Sequence, residues 1–477
     1  MIQCKLRKNM NAPPLRPPLT PGGYRETLRV AVPMMISTGS FTLMQFVDRI
    51  FLTRYSPEAI QAALPAGILA FTLVCVFSAL AGYGSTFVAQ YYGAGDLRGC
   101  GRATAQALLL TLLAWPVMLA LMPVGAWLLG VSGHAPAVLR EELIFYRILM
   151  LGSLAVPLSA AISGFYTGRG DTLTNMAAVV FGNLLNILLD WLLIFGHGGC
   201  PRMGIAGAGW ATVISSFATP ALLLAVYFLA PRFRGPYDTW RTLRPDFALL
   251  RRLIRYGLPS AGNLLLDVGS FTVFVLLTGR MGPQALAASN IALSINNVAF
   301  MPLVGIGIAA TTLVGQYQGR GDSATAARAG WTALKIGWLY MAVIAASFLL
   351  FPHGYFLLFT GRGDGGLQLG EVLPVGHWLL VMMAVWGLGD AANVILAGAL
   401  KGAGDTRFVL LWSLLVAWCI WLGGEALIVL VFRGGILAAW LWMAVYVFIL
   451  AAGFFVRYRS GRWKTIDLLG RTPAPSG

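Results

Sequence analysis

TFVAQYYGAGD, Thr86–Asp96, returns as TLVGQYQGRGD at Thr312–Asp322, every matched position displaced by 226 residues. The same displacement carries Arg29 to Arg255, Pro33 to Pro259 and Pro57 to Pro283. Farther on, GRGDT at Gly168 is matched by GAGDT at Gly402, 234 residues later. A constant spacing across several motifs marks an internal duplication.

The duplicated material is apolar. The 477-residue chain is 58% hydrophobic and 11% charged, with mean hydropathy +0.74, where a soluble domain carries roughly 25% charged residues. Its apolar residues fall into twelve runs, at 29–53, 62–90, 103–131, 143–166, 173–196, 205–230, 253–279, 284–314, 326–358, 376–400, 408–432 and 434–456. Each is near or above the ~20 residues a spanning helix needs. Six runs per half is an even number, so the halves share one orientation and are related by an axis along the membrane normal. The expected fold is an all-α integral membrane protein of twelve transmembrane helices in two pseudo-symmetric six-helix bundles. Its expected divisions are a basic, proline-rich tail (1–28), an N-terminal lobe (29–230), an inter-lobe loop (231–252), a C-terminal lobe (253–457) and a second tail (458–477). Residues 1–28 lack an apolar core followed by a small-residue cleavage site, so no signal peptide is expected. Two similar lobes facing each other across a central cavity are a transporter architecture.

A net charge of +16 invites a nucleic-acid reading, which the distribution of the charge opposes. With the N-terminus placed inside, 25 of the 34 Lys and Arg fall in the tails and even-numbered connections, and 6 in the odd-numbered ones. That asymmetry is the positive-inside bias, and it puts both termini in the cytoplasm. Absence of an organellar targeting segment suggests a bacterial cytoplasmic (inner) membrane. Cys4, Cys75, Cys100, Cys200 and Cys419 show no paired spacing, and the four histidines are isolated, so no disulfide framework, resident metal or cofactor is expected.

The Gly-rich GxGD elements resemble phosphate cradles, but each falls in a short turn where Gly supplies positive φ and Asp caps the next helix. No GxxxxGK[ST] is present, so the usual sign of ATP-driven pumping is missing. Energy then comes from an ion gradient, a partner or the solute's own gradient.

Acidic residues inside the runs are Asp48, Asp190, Asp267, Asp390 and Glu425. Asp48 lies six residues before Arg54, and Asp190 six before Gly196, so both sit roughly 9 Å inside the outer boundary. Asn186 lies one turn from Asp190 on the same face and Asn183 two turns away. A carboxylate in hydrocarbon is costly and is a functional candidate by default. This pair could take up a proton, or hold Na⁺ through oxygen ligands of Asp48, Asn186 and Asp190. Alternatively each carboxylate is structural, with Arg147 the better-placed partner for Asp48, and Asn183 a simple helix bridge. Asp267 and Asp390 lie near mid-membrane and could form a second cation or substrate site; Glu425 is placed near the outer water boundary. Pro33 and Pro259 recur at the same point of each half and mark either a bend or a hinge.

Together these features resemble the multidrug and toxic compound extrusion (MATE) family over roughly residues 25–457. The matching elements are QFVDRIFL, FVAQYYGAGD, GRGDT followed by NILLD, and GIAGAGWATVIS. In the second half they are GLPSAGNLLLD, FMPLVGIGIAATTLVGQYQGRGD and GLGDAANVILAGALKGAGDT. The resemblance implies two bundles around a V-shaped cavity, and antiport of organic, often cationic, compounds against H⁺ or Na⁺. It also implies cation-site roles for Asp48, Asn186 and Asp190, and acidic positions at Asp267 and Asp390. Pro33 looks like the helix 1 proline linked to bending. A second family acid one turn after Asp267 would fall on Phe271, so that part of a C-lobe site is missing.

The implied function is secondary active efflux of small amphipathic, cationic compounds by a monomer in the bilayer. The alternative is a lipid-linked precursor flippase of the same superfamily. An enzyme would need a His, Ser or carboxylate constellation at one interface, and none is present.

Overall fold

The computed structural model describes residues 20–279, 281, 283–359, 369–432 and 434–470. Expectations for Cys4, Arg280, Arg362, Arg433 and the outer parts of both tails lie outside the described residues. Six helical spans make up the first half: α1 (Tyr24–Tyr55), α2 (Pro57–Gly93), α3 (Leu97–Gly130), α4 (Pro136–Leu151 with Ala155–Gly168), α5 (Thr172–Phe195) and α6 (Ile205–Leu229). The second half has α7 (Phe247–Gly279), α8 (Pro283–Arg320), α9 (Ser323–Leu350), α10 (Leu369–Ala403), α11 (Thr406–Val431) and α12 (Ile436–Arg459). The fold is the all-α, twelve-span, two-lobe architecture read from the repeat.

Two boundaries move inward of expectation. α1 starts at Tyr24 behind Gly23, so the first tail is shorter than 1–28. α7 starts at Phe247 because the Leu249 amide donates to Asp246 Oδ1 (3.0 Å). This side-chain cap begins the helix six residues before 253 and shortens the loop. The fourth span is bent by 41° at residues 152–154. Gly152 lets Val213 of α6 approach so closely that an added Cβ would lie 2.4 Å from it. Pro157, one turn on, removes a helical donor at the same place.

The GxGD turns are four copies of one cap. Gly95, Gly170, Gly321 and Gly404 have φ of 77°, 78°, 84° and 97°. In each, the glycine and aspartate amides close on the preceding helix, as in Gly95 to Tyr92 O and Asp96 to Tyr91 O, the pattern of a Schellman cap. Each aspartate then opens the next helix. Asp96 accepts from the Gly99 amide (2.7 Å) and Asp322 from the Thr325 amide (2.9 Å); Thr325 holds the Asp322 carboxyl below its usual range. Asp171 takes the Thr174 hydroxyl (2.8 Å), while Asp405 takes Arg457 Nε (2.7 Å).

These turns and both ends of the described chain share one side, the base. The lobes meet there in cross-paired fashion, α1 on α8 and α2 on α7. Glycines set that approach: a Cβ on Gly305 would lie 2.5 Å from the Met35 amide. Close backbone contact through small residues is how helices associate where lipid offers no hydrophobic drive. The inter-lobe segment packs under the first lobe. Gln106 clasps it by donating to Arg244 O and accepting the Asp246 amide, each at 3.0 Å, and Arg169 lies 4.6 Å over Phe233.

The second tail is not a loose extension. Trp463 is fully buried, stacks on Tyr458 at 5.0 Å, and donates to Tyr458 O (2.8 Å). Past it, Leu468 and Leu469 enter the first lobe's core, and Arg252 donates to Leu469 O. Residues 460–470 therefore strap the second lobe to the first. Trp463→Ala removes a buried indole outside the membrane, at a local cost of about 3–5 kcal/mol. Tryptic cleavage at Arg459 and Arg462 should accelerate while the spans stay intact; unchanged cleavage would show that the strap is held otherwise.

Candidate functional site

α5 packs along α1 and against α6, and one close contact to each fixes its register. Gly182 of α5 leaves room for Thr219 of α6, whose Oγ1 would lie 2.3 Å from an added Cβ. Asn183 Nδ2 donates to Ser40 Oγ of α1 at 2.8 Å. Asn183 thus faces Ser40 as a helix bridge, the plain alternative read from the sequence.

One turn farther, Asn186 is fully buried and Asp190 is 1% exposed. The carboxyl groups of Asp48 on α1 and Asp190 on α5 come close enough to interact directly, as their matched distances from Arg54 and Gly196 led one to expect. Both Asp190 oxygens, Asp48 Oδ1 and both polar atoms of the Asn186 amide are buried without a hydrogen-bond partner among the described residues. Leaving several such atoms unpaired is costly. Arg147 does not relieve them: it is exposed, and no ion pair to Asp48 occurs among the described residues. Two ionised carboxylates so close repel strongly in a poorly screening interior. A shared proton or a small hard cation removes that repulsion, and Asn186 can offer either an N–H or a carbonyl oxygen. Five oxygens from Asp48, Asp190 and Asn186 suit a cation that prefers oxygen ligands.

In the second lobe, Asp267 of α7 and Asp390 of α10 lie close enough for their charges to interact, and Tyr446 of α12 is within reach of both. Asn393 is 8% exposed and donates to Val447 O (3.2 Å). Asp267 accepts from Asn263 Nδ2 at 3.4 Å, and Asn263 Oδ1 accepts from Lys401 Nζ at 2.7 Å. Sequence reasoning counted Lys401 as a loop charge; it forms the last turn of α10 with its ammonium turned into the lobe. Phe271, one turn past Asp267, is 41% exposed and contacts Phe274. Pro33 lies in an unbroken α1, with the Ser37 hydroxyl donating to Pro33 O (2.9 Å).

Glu425 lies six residues before the end of α11 at Val431. It is fully buried, and neither oxygen has a partner among the described residues. Two wide π-helical stretches, Leu415–Trp421 and Leu427–Val431, flank it. Trp442 Nε1 donates to Ile420 O (3.3 Å) and Trp421 O (3.0 Å), satisfying carbonyls in that wide turn.

Two duplicated six-helix lobes, each carrying carboxylates within its spans, define a transporter class of fold. Comparison with known proteins gives the family. The MatE family model matches residues 33–192 and 259–421. "Probable multidrug resistance protein NorM" of Bradyrhizobium diazoefficiens is 31% identical over 442 residues, covering 91% of this chain and 93% of that protein. The NorM protein of Pseudomonas aeruginosa is 32% identical, covering 94% and 91%. "Multidrug resistance protein PmpM" of the same organism is 30% identical, covering 86% of each. Among solved structures, an outward-facing multidrug resistance MATE family transporter superposes with TM-score 0.83 at 22% identity, covering 92% of this chain and 95% of that one. The chain belongs to the MatE family, the multidrug and toxic compound extrusion transporters.

Proposed function

We propose that this chain exports small amphipathic, cationic organic compounds across a bacterial cytoplasmic membrane, in exchange for H⁺ or Na⁺. It works as a monomer with both termini, and hence the base, on the cytoplasmic side. The observation that carries this reading is the Asp48–Asp190 pair with Asn186, where both Asp190 oxygens, Asp48 Oδ1 and the Asn186 amide are buried without a hydrogen-bond partner among the described residues. Uptake of one coupling cation lowers the pair's charge by one and relieves its repulsion, and release on the other side of the membrane restores both. Alternating access then requires the α1/α8 and α2/α7 seams to part at the base. Pro33, which cannot donate to the Arg29 carbonyl, gives α1 a point at which to bend.

Cargo charge follows from the acids. Asp267 and Asp390 favour a cation, and Lys401 is already engaged with Asn263. An anionic lipid-linked head group would meet those acids unfavourably.

Purified protein in proteoliposomes loaded with ethidium should show efflux when an inward pH gradient, or separately an inward Na⁺ gradient, is imposed. Release under one gradient and not under the other identifies the ion. Correctly inserted protein that moves no organic cation under either gradient would defeat the reading, and movement of an anionic lipid instead would favour the flippase.

A further inference from the structure

The last turn of α10 serves two lobes at once. Its backbone faces the first lobe: Tyr83 Oη donates to Lys401 O and Gln90 Nε2 to Gly402 O, each at 3.0 Å. Its side chain turns the other way, Lys401 Nζ donating to Asn263 Oδ1 and Asn263 Nδ2 reaching Asp267 Oδ1. One residue therefore ties the acidic centre of the second lobe to the seam that closes the base.

The duplication supplies the contrast. The repeat partners of Lys401, Asn263 and Asp267 are Thr167, Ser37 and Phe41. The matching seam is still made in that half, where Thr312 Oγ1 donates to Thr167 O (3.2 Å) and Gln316 Nε2 to Gly168 O (2.8 Å). Closure alone thus needs no charge. The ammonium–amide–carboxylate relay was added to one copy of a seam that forms without it.

We propose that Lys401 is a tethered internal cation that competes with cationic cargo for Asp267, and so links cargo occupancy of the second lobe to opening of the cytoplasmic seam. The inference rests on the cationic-cargo reading above and deepens it. Without cargo, Lys401 compensates Asp267 through Asn263 and holds the end of α10 where Tyr83 and Gln90 bond it. A cargo cation at Asp267 replaces that compensation. The ammonium loses its counter-charge, the last turn of α10 loses its anchor, and the two carbonyls leave the seam. Linkage is reciprocal, so whatever closes the seam also weakens cargo binding.

The test uses the full-length protein and tetraphenylphosphonium, and two readouts that need no turnover. Equilibrium binding of the probe to Lys401→Gln should be tighter than to wild type by roughly 10-fold, within the usual 5–150-fold range of such couplings. A lysine with a merely structural role would leave affinity unchanged or weaken it. Lys401→Arg should restore the wild-type value, and Asp267→Asn combined with Lys401→Gln should abolish the gain. Spin labels at exposed Arg98 and Arg328, one on each lobe, should show one short distance in wild type, with a longer one appearing on probe addition. Lys401→Gln should show the longer distance without probe. Equal or weaker probe binding by Lys401→Gln, or the same distances as wild type, overturns the inference. Efflux by wild type in proteoliposomes reports separately on the antiport reading.

Discussion

Asp190→Asn leaves a folded, inserted protein whose cation-driven efflux falls by roughly 100-fold or more, the upper end of ordinary coupling free energies. The substitution keeps shape and volume but removes the exchangeable charge. An amide cannot take up a proton on one side and release it on the other. For Na⁺ it replaces an anionic oxygen ligand by a neutral one, leaving Asp48 as the one anionic ligand among the three. Folding should not suffer, because the change also removes the repulsion between two adjoining carboxylates. The register of α5 rests instead on Asn183 with Ser40 of α1 and on Gly182 with Thr219 of α6. The measurement is paired: ethidium efflux under an imposed gradient, and the thermal midpoint of the purified protein. Lost transport with an unchanged or raised midpoint is the expected outcome. Undiminished gradient-driven efflux would remove Asp190 from the coupling step, and a lowered midpoint would assign it a structural role.

The Asp48–Asp190 pairing was legible because it depended on regular periodicity: two uninterrupted helices, each with a recognisable outer end. The two-lobe fold was legible from the displacement of Thr86 to Thr312, since a duplicated unit must bury its faces against its copy. The π-helical turns on either side of Glu425 were not legible, because nothing in LVAWCIW announces them. The bend at Gly152 came from the close approach of Val213, a contact 61 positions away in the chain. Lys401 was misread because positive-inside counting treats every terminal cation as a loop charge, although its side chain could turn back into the lobe. Asn183 had two readings from the sequence, and its partner, Ser40, lies on another helix.

Gly93→Ala should block closure of the base and halt turnover while leaving cargo binding intact. Gly93 ends α2 against the backbone of α8: an added Cβ would lie 1.8 Å from Gln316 O and 2.6 Å from its carbonyl carbon. Backbone atoms cannot rotate aside as a side chain can, so the lobes themselves must separate. The repeat places Gly319 in the mirrored contact, where a Cβ would lie 2.0 Å from Gln90 O. The two glutamines between these glycines then complete the seam, Gln90 to Gly402 O and Gln316 to Gly168 O. A single methyl group therefore interferes with bonds at both ends of the contact. Reversing a closed-to-open ratio from 99:1 to 1:99 takes about 5.5 kcal/mol, and overlap with a fixed backbone supplies a penalty of that order. The Arg98–Arg328 spin-label pair should shift wholly to the longer distance, with probe binding as tight as in wild type or tighter and efflux lost. Gly95, two residues on, is the control: its φ of 77° demands a left-handed backbone, yet an added Cβ meets nothing within 4 Å. Asparagine tolerates that conformation, so Gly95→Asn should transport close to the wild-type rate. If Gly93→Ala behaves like Gly95→Asn, tight closure of this seam is no part of the transport cycle.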